Sequence, residues 1–447
     1  MKRLFNFLNP APHLPEIKDV DEVKKRYKYW RLRIFLGMHI GYAFFYFTRK
    51  SFTFAMPVMM TALGFTKTDL GILGSVLYMS YGLSKFVSGV VADRSNPRYF
   101  MGVGLILTGF FNIFFGLSSS IFLFAIFWGL NGWFQGWGWP PCARLLTHWY
   151  SQKERGTWWG FWNTSHNIGG ALIPLVVAFC VKYFDWRVAM YTPGLLCIGV
   201  GCLLIYLLRD TPQSLGLPPI EKFRNDYPDE HVDQEKELSS REILVKYVLK
   251  NSFIWLLAIA YFFVYIVRVA LNDWTLLYFV EAKGFTIGMA SFCLIWFEIG
   301  GFLGSLGAGW LSDKIFSGKR GPVNVLFTLG VAIVIGLLWM VPSGNVLLAS
   351  TCMFLTGFTI FGPQMLIGMA AAEISHKKAA GTATGFAGWF AYFGAASAGY
   401  PLSKIAQDIG WNGFFGTLAL CSGIAVLLLI PLWSKKVHPK YAPVKTA

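Results

Sequence analysis

Charged residues are scarce in this chain of 447 residues. Asp, Glu, Lys and Arg together make up only 14% of the sequence, whereas 55% is hydrophobic, and the mean hydropathy is +0.50. This balance excludes a soluble globular protein and predicts a polytopic helical membrane protein, because a backbone in lipid must satisfy its own hydrogen bonds. The 47 glycines and 18 tryptophans suit close helix packing and interfacial aromatic belts.

The usual marks of an enzyme or a metalloprotein are also missing. The seven cysteines lie in apolar segments without metal-ligand spacing, and we interpret them as small buried residues. The sequence shows no nucleophile with a paired base and no phosphate-cradling glycine loop. We therefore expect neither an enzyme nor a bound cofactor or metal. The first thirty residues are polar and basic, so we expect no cleavable signal peptide.

Acidic residues are fewer than basic ones, 23 against 39, and the net charge is +16. A nucleic-acid partner does not explain this excess, since Lys and Arg recur in alternate loops, for example at Arg98 and again at Lys153 and Arg155. The loops between them, such as Ser118–Ser120, are nearly uncharged. This positive-inside pattern places both termini in the cytoplasm. We expect a monomer in the lipid bilayer of the cytoplasmic (inner) membrane.

Twelve hydrophobic segments are long enough to cross a bilayer. They are predicted at about 31–60, 69–92, 99–117, 120–146, 156–182, 187–208, 251–280, 287–312, 321–341, 345–372, 379–403 and 410–434. A proline-rich stretch with charges of both signs separates the first six from the last six. We therefore predict an all-α protein with a six-helix bundle and basic head at 1–208, a cytoplasmic linker at 209–250, and a second bundle with a basic tail at 251–447.

An internal repeat relates the two halves. The sequence Gly89-Val-Val-Ala-Asp93-Arg94 recurs as Gly309-Trp-Leu-Ser-Asp313-Lys314, and the offset of 220 residues nearly equals that between Arg49 and Arg268. A near-constant offset predicts two bundles related by pseudo-symmetry, with a site between them at mid-membrane. That is the architecture of the major facilitators, and the first copy resembles their loop signature. We interpret the charged positions as gating loops: Asp93, Arg94, Asp313 and Lys314.

Several full charges fall within the predicted spans: Arg49, Lys50, Lys85, Arg268, Asp273 and Glu298. Left unpaired, they would together cost on the order of 15–20 kcal/mol on the insertion scale, so they must pair with one another or with a ligand. Four cations against two carboxylates leave two positive charges. This surplus matches one phosphate dianion, which carries about −1.5 to −2 at pH 7.

The two arginines are the predicted phosphate ligands, because a planar guanidinium binds two phosphate oxygens at once. Arg49 and Arg268 come from symmetry-related spans and are expected to close on one anion from both halves. The alternative for either arginine is a structural salt bridge with one of the two carboxylates. Breakable ion pairs between the halves are assigned to Lys50, Lys85, Asp273 and Glu298.

Aromatic and polar residues share helical faces with these cations. Tyr42 and Tyr46 lie on the face of Arg49 at i, i+4 and i+7. His166 lies one turn after Trp162 on a polar face, which favours a phosphate-contacting or pH-tuning role over simple packing. The remaining predicted pocket residues are Trp139, Tyr265 and Tyr392.

Motifs spread over nearly the whole chain resemble those of the organophosphate:phosphate antiporters of the major facilitator superfamily. They are Tyr46-Phe-Thr-Arg49-Lys50-Ser-Phe, Ser84-Lys85-Phe, Gln135-Gly-Trp-Gly-Trp-Pro-Pro141, Trp162-Asn-Thr-Ser-His166-Asn, Arg209-Asp-Thr-Pro212 and Val264-Tyr-Ile-Val-Arg268. The resemblance implies that both arginines hold phosphate and that the histidine assists. The segments Phe361–Gly368 and Gly394–Pro401 are most similar to the hexose-phosphate (sensor-type) carriers.

The resemblance and the charge surplus together imply an antiporter that exchanges a sugar phosphate, with glucose 6-phosphate first, for inorganic phosphate. Two alternatives stay open: a glycerol-3-phosphate:phosphate antiporter, and a membrane-embedded sensor that binds the sugar phosphate and signals to a partner. Proton symport through Asp273 or Glu298 is not expected, because nearby cations keep both carboxylates ionised.

Overall fold

The computed structural model describes residues 8–92, 95–225, 245, 248–375 and 380–434. No strand occurs among these residues, which confirms the all-α prediction. In chain order the helices are α1 (Val20–Leu63), α2 (Lys67–Ala92), α3 (Pro97–Leu117), α4 (Ile121–Gln135), α5 (Trp139–Trp149), α6 (Gln152–Tyr183), α7 (Val188–Leu207), α8 (Ile220–Arg224), α9 (Ser252–Lys283), α10 (Ile287–Trp310), α11 (Arg320–Met340), α12 (Val346–Ile374), α13 (Ala380–Ser397), α14 (Tyr400–Asp408) and α15 (Trp411–Leu429).

Within the described ranges, eight helical segments are long and apolar enough to cross a membrane. They are Pro97–Leu117, Trp158–Tyr183, Val188–Leu207, Ser252–Lys283, Ile287–Ile315, Arg320–Met340, Val346–Ile374 and Trp411–Leu432. The other four expected spans are not among these eight. The first two, α1 and α2, carry Arg49, Lys50 and Lys85, and the other two segments are each broken into a pair of helices.

The expectation of one continuous helix over 120–146 is wrong. Helix α4 ends at Gln135, and α5 begins at Trp139 with Pro140 and Pro141 in its first turn. Proline has no N–H to donate to the preceding turn, so a helix can start with these residues but cannot run through them. The segment predicted at 379–403 breaks in the same way before α14, which has Pro401 in its first turn.

The chain divides into two compact units. Unit 1 comprises Met1–Phe52 and Ser80–Lys236, and unit 2 comprises Thr53–Met79 and Glu237–Ala447. The domain boundary at 209–250 stays a prediction. The segment Thr53–Met79, which contains the end of α1 and the start of α2, belongs to unit 2 together with the later helices. Contacts inside unit 2 explain this grouping, since Lys67 forms a 2.8 Å ion pair with Glu281 and Ser75 Oγ donates to the carbonyl of Ala396 at 2.6 Å.

Close helix packing in unit 1 depends on facing glycines. A Cβ added at Gly109 would lie 2.5 Å from the carbonyl oxygen of Gly194, and one at Gly201 would lie 2.8 Å from that of Gly102. Helices α3 and α7 therefore approach backbone to backbone, as small residues allow in membrane proteins. Cysteines fill apolar gaps elsewhere, and Cys202 is the exception to the expectation of burial because its side chain is exposed on α7.

Part of the predicted linker is folded onto unit 1. The Asp210 carboxylate, which is 1% exposed, accepts from the backbone N–H of Ala11 at 2.9 Å and pairs with Arg144 at 3.0 Å. The N-terminal segment therefore packs against the chain that follows α7. Residues 226–244 of that linker lie outside the described ranges.

A second ionic cluster joins the start of α1, the start of α6 and α8. The carboxylate of Glu154 pairs with Arg31 at 2.6 Å and with Arg224 at 3.3 Å. Burial acts to raise the pKa of Glu154, but the hydrogen bond and charge of Arg31, with the charge of Arg224 and the N–H of Ser151, outweigh it and lower the pKa.

Candidate functional site

The face predicted on α1 is present in unit 1. Arg49 is only 9% exposed, and its guanidinium carbon lies 4.5 Å from the ring centre of Tyr46 and 4.6 Å from that of Tyr81 on α2. The rings of Tyr42 and Tyr46 lie 6.0 Å apart, edge to face. Two phenol faces therefore stabilise a buried cation at this point of the helix.

A buried amide sets the direction of that cation. Gln135, at the end of α4, accepts a hydrogen bond from Arg49 Nε at 3.1 Å and is 1% exposed. Its own Nε2 donates to the carbonyl of Phe45, the hydroxyl of Thr48 and the side-chain oxygen of Asn131, at 3.0–3.2 Å. The amide is thus held on both sides, and only a narrow range of Arg49 orientations preserves the bond.

Helix α6 contributes the next two predicted residues. Trp162 is fully buried with its ring centre 4.8 Å from that of Tyr42, and His166 is 8% exposed with its ring centre 5.8 Å from that of Tyr46. Gly169 allows this approach, since a Cβ there would lie 2.9 Å from the Cβ of Tyr46. The structure therefore brings these four aromatic groups together beside Arg49.

The remaining predicted residues of unit 1 are Trp139, Lys85 and Lys50. The Nζ atom of Lys85 lies 5.4 Å from the ring centre of Trp139, the first residue of α5. The Trp139 ring in turn lies 5.8 Å from that of Trp159 on α6. Lys50 is 5% exposed. The assignment of both lysines to ion pairs between the halves stays a prediction.

Unit 2 has its own arginine with aromatic neighbours. The guanidinium carbon of Arg268 lies 5.6 Å from the ring centre of Tyr265 and 5.0 Å from that of Phe361 on α12. The Tyr265 ring lies 6.1 Å from that of Tyr392 on α13. Gly301 on α10 leaves room for the phenylalanine, because a Cβ there would lie 2.7 Å from its ring.

The predicted carboxylates of unit 2 are buried. Asp273 is 7% exposed and accepts a 2.7 Å hydrogen bond from the hydroxyl of Tyr78, which belongs to the part of α2 in the same unit. Glu298 is 5% exposed on α10. Tyr78 could not be predicted as the partner of Asp273, since 195 residues separate the two.

Two of the four predicted gating residues, Asp313 and Lys314, lie in the part of the chain that the structure describes. Asp313 lies in a π-helical turn after α10 and pairs with Arg320 at 2.5 Å, and Arg320 also pairs with Glu373 at 2.9 Å. Lys314 is exposed in the same turn. The other two predicted gating residues, Asp93 and Arg94, lie outside the described residues.

The chemistry of each arginine site suits an anion. A guanidinium donates along a planar edge, and phenols supply further O–H donors that a phosphate oxygen accepts. Among the described residues, no group of three or more His, Cys, Asp or Glu side chains could hold a metal ion. The sequence predicted no role for Gln135, Tyr81 or Phe361. The available signal for Gln135 was its position at the start of the motif Gln135-Gly-Trp-Gly-Trp-Pro-Pro141, directly before two closely spaced glycines.

Comparisons with known proteins agree with this architecture. The family model described as Major Facilitator Superfamily matches residues 38–400. The chain is 61% identical over 439 residues to a "Probable hexose phosphate transport protein" of Chlamydia pneumoniae, covering 96% of each chain. It is 52% identical over 429 residues to the "Membrane sensor protein UhpC" of Salmonella typhimurium, covering 96% of this chain and 97% of the relative.

A solved structure shows the same fold at low sequence identity. It is the crystal structure of a bacterial homologue of the human lysosomal transporter Spinster, which is 13% identical and superposes with a TM-score of 0.69 over 91% of this chain and 96% of the other. The fold and the family model both cover most of the described helices. The chain is therefore an integral membrane protein of the Major Facilitator Superfamily and belongs to its transporters.

Proposed function

We propose that this transporter exchanges a sugar phosphate, with glucose 6-phosphate as the first substrate to test, for inorganic phosphate by alternating access. The proposal is supported by the name of the Chlamydia pneumoniae relative, which refers to hexose phosphate, at 61% identity over 96% of both chains. The observation that carries it is the setting of Arg49, a buried cation between two phenol faces whose Nε is engaged by Gln135.

That setting is compatible with bidentate phosphate binding. The amide of Gln135 engages Nε, and a phosphate that binds end-on to the two Nη groups does not compete for that hydrogen bond. In this proposal Arg49 and Arg268 hold the phosphate and His166 assists. The tyrosines and tryptophans beside them line the pocket for the organic part of the substrate: Tyr42, Tyr46, Trp139, Trp162, Tyr265 and Tyr392.

Charge compensation is the proposed reason for obligatory exchange. Among the six charges Arg49, Lys50, Lys85, Arg268, Asp273 and Glu298, the cations exceed the carboxylates by two, and an anion of matching charge relieves their repulsion in a low-dielectric site. An empty transporter would keep that repulsion and resist interconversion, whereas either phosphate species would allow it. Lys50, Lys85, Asp273 and Glu298 form and break ion pairs during the cycle in this scheme.

The basic loops support an orientation with both termini in the cytoplasm and a location in the inner membrane. We propose a monomer, since each six-helix half supplies its own arginine. The second candidate function is sensing, because the Salmonella typhimurium relative is named a membrane sensor protein. Uptake of sugar phosphate by cells that lack any signalling partner would favour transport, and binding without uptake would favour sensing.

The deciding experiment uses the purified protein in sealed vesicles. Labelled glucose 6-phosphate should enter vesicles loaded with inorganic phosphate and should not enter phosphate-free vesicles. Equal uptake into both would refute antiport. Competition of phosphate self-exchange by glucose 6-phosphate and by glycerol 3-phosphate then identifies the organic substrate.

The arginine assignment has a separate test in the same vesicles. Arg49→Lys or Arg268→Lys should abolish exchange while the protein still folds, because an ammonium cannot reproduce the two-pronged contact. Wild-type exchange in either variant would remove that arginine from the site. Unchanged helicity and unfolding temperature serve as the folding control.

A further inference from the structure

Three arginines from separate parts of unit 1 converge at the end of α7. Arg33 Nη2 and Arg209 Nη1 both donate to the carbonyl oxygen of Tyr206, each at 2.9 Å. Arg98 Nε donates to the adjacent carbonyl, that of Ile205. We refer to Arg33, Arg98 and Arg209 as the arginine triad.

Aromatic rings surround the triad. The guanidinium carbons of Arg33 and Arg209 lie 4.8 and 4.9 Å from the ring centre of Trp30, so the two cations share one indole. Arg33 also lies 4.5 Å from the ring centre of Tyr206, and Arg98 lies 5.0 Å from that of Tyr99. Indole and phenol groups at the end of a membrane helix are typical of the lipid headgroup region.

Helix capping accounts for only part of this arrangement. The last carbonyls of a helix lack intrahelical donors and attract cations, and the triad donates to those of Ile205, Tyr206 and Leu208. One cation would suffice for that purpose, whereas three guanidinium groups carry about fifteen N–H donors. The Nε of Arg33 is buried without a hydrogen-bond partner in the described part of the chain.

Within the described ranges, no carboxylate is paired with the triad. The nearest acidic residue in sequence, Asp210, is engaged by Arg144. Burial lowers the pKa of Arg209, and the charges of Arg98 and Arg33 lower it further.

An apolar stripe leads away from the triad along the membrane-facing side of α1. Leu36 and Ile40 follow Arg33 at i+3 and i+7 and are 47% and 36% exposed. On α7, Leu203 is 42% exposed one turn before the end of the helix. Apolar side chains beside a cationic cluster match the two parts of a phospholipid, a phosphodiester and its acyl chains.

From this geometry we infer that the arginine triad is a binding site for the headgroup of an anionic phospholipid, whose acyl chains lie along the exposed faces of α1 and α7. The phosphodiester accepts from the guanidinium N–H groups that the carbonyls of α7 do not use. The apolar stripe favours a lipid over free phosphate, since free phosphate gains nothing from it. The inference does not depend on which substrate the transporter carries.

The test is native mass spectrometry of the full chain in neutral detergent, titrated with phosphatidylglycerol or with phosphatidylcholine. The wild type should bind phosphatidylglycerol in preference to phosphatidylcholine. Each arginine removed should weaken that binding about fivefold. The variants are R209Q alone and R33Q/R98Q/R209Q, with R33K/R98K/R209K to retain the charge.

Arg187→Gln is the matched control. Arg187 precedes the other end of α7 and lies 4.5 Å from the ring centre of Trp186, but it pairs with Asp185 at 3.7 Å. Its replacement should leave lipid binding unchanged. An equal loss in this variant, or no loss in the glutamine variants, would overturn the inference.

Two further measurements keep the result interpretable. Added inorganic phosphate should not displace phosphatidylglycerol, and displacement at equal concentration would assign the triad to free phosphate instead. If the triple glutamine variant does not fold, R209Q decides, because Arg209 lies beyond the last residue of α7 and its removal leaves Arg33 on the same carbonyl. Retention of wild-type affinity in a folded R209Q would refute the site.

Discussion

Replacement of Gln135 by leucine should impair phosphate binding more than it impairs folding. The change keeps the volume but removes the acceptor of Arg49 Nε and the donor to Phe45, Thr48 and Asn131. A hydrogen bond to a charged group contributes about 1.5–3 kcal/mol. If that energy orients the guanidinium towards phosphate, Vmax/KM for phosphate exchange should fall about 10- to 150-fold.

The variant Gln135→Glu distinguishes the orientation of the Arg49 guanidinium from its charge. A carboxylate beside Arg49 retains an acceptor but neutralises the cation, so the KM for phosphate should rise further than in the leucine variant. Both variants are assayed by phosphate self-exchange in reconstituted vesicles. The ordering of the two KM values, glutamate above leucine above wild type, is the result that a purely structural role does not predict.

Asn112→Leu provides the control for a lost buried amide. Asn112 is fully buried on α3, accepts from Ser51 and donates to the carbonyl of Met190, and its hydrogen bonds in the described part of the chain do not include Arg49. Its loss should lower the unfolding temperature without changing KM. Wild-type KM and Vmax in a folded Gln135→Leu protein would refute the reasoning, as would an equal change of KM in the Asn112 variant.

Three other predictions concern stability. Tyr78→Phe removes the 2.7 Å hydrogen bond to buried Asp273 and should lower the free energy of unfolding by about 1.5–3 kcal/mol in calorimetry. Asp210→Asn removes the buried negative charge that pairs with Arg144 and should cost about 3–5 kcal/mol, with faster hydrogen–deuterium exchange at Ala11 as the local readout. Because the pKa of Glu154 is lowered in the folded state, its carboxylate stabilises the fold at pH values above its unfolded-state pKa, and this stabilisation is lost as the pH falls through its folded-state pKa. Glu154→Gln should therefore lower the unfolding temperature at neutral pH and remove this part of its dependence on pH. Parallel curves of unfolding temperature against pH for wild type and variant would contradict this prediction.

Hydrophobic segments and helical periodicity predicted the all-α fold and which residues share a helix face with each arginine. The spacing of Tyr42, Tyr46 and Arg49 requires one face, and their contacts confirm it. The same holds for Arg268 and Tyr265, which are three residues apart on α9. These predictions succeeded because they depend only on the repeat of a helix.

Contacts between distant segments could not be predicted in this way. Gln135 reaches Arg49 across 86 residues, and nothing in the periodicity of α4 distinguishes that amide from a packing residue. The position of Gln135 directly before Gly136-Trp137-Gly138 was the available sign in the sequence that this amide has more than a packing role. The break after it was predictable, since Pro140 and Pro141 stand inside the segment expected to be one helix.

That break has a consequence for how cations are presented. In an uninterrupted helix Gln135 and Trp139, four residues apart, would point the same way. Between them the backbone forms a turn closed by hydrogen bonds between residues three apart, and Gln135 engages Arg49 while the ring of Trp139 lies beside Lys85. A single crossing of the bilayer, broken before a pair of prolines, thereby serves two positive charges.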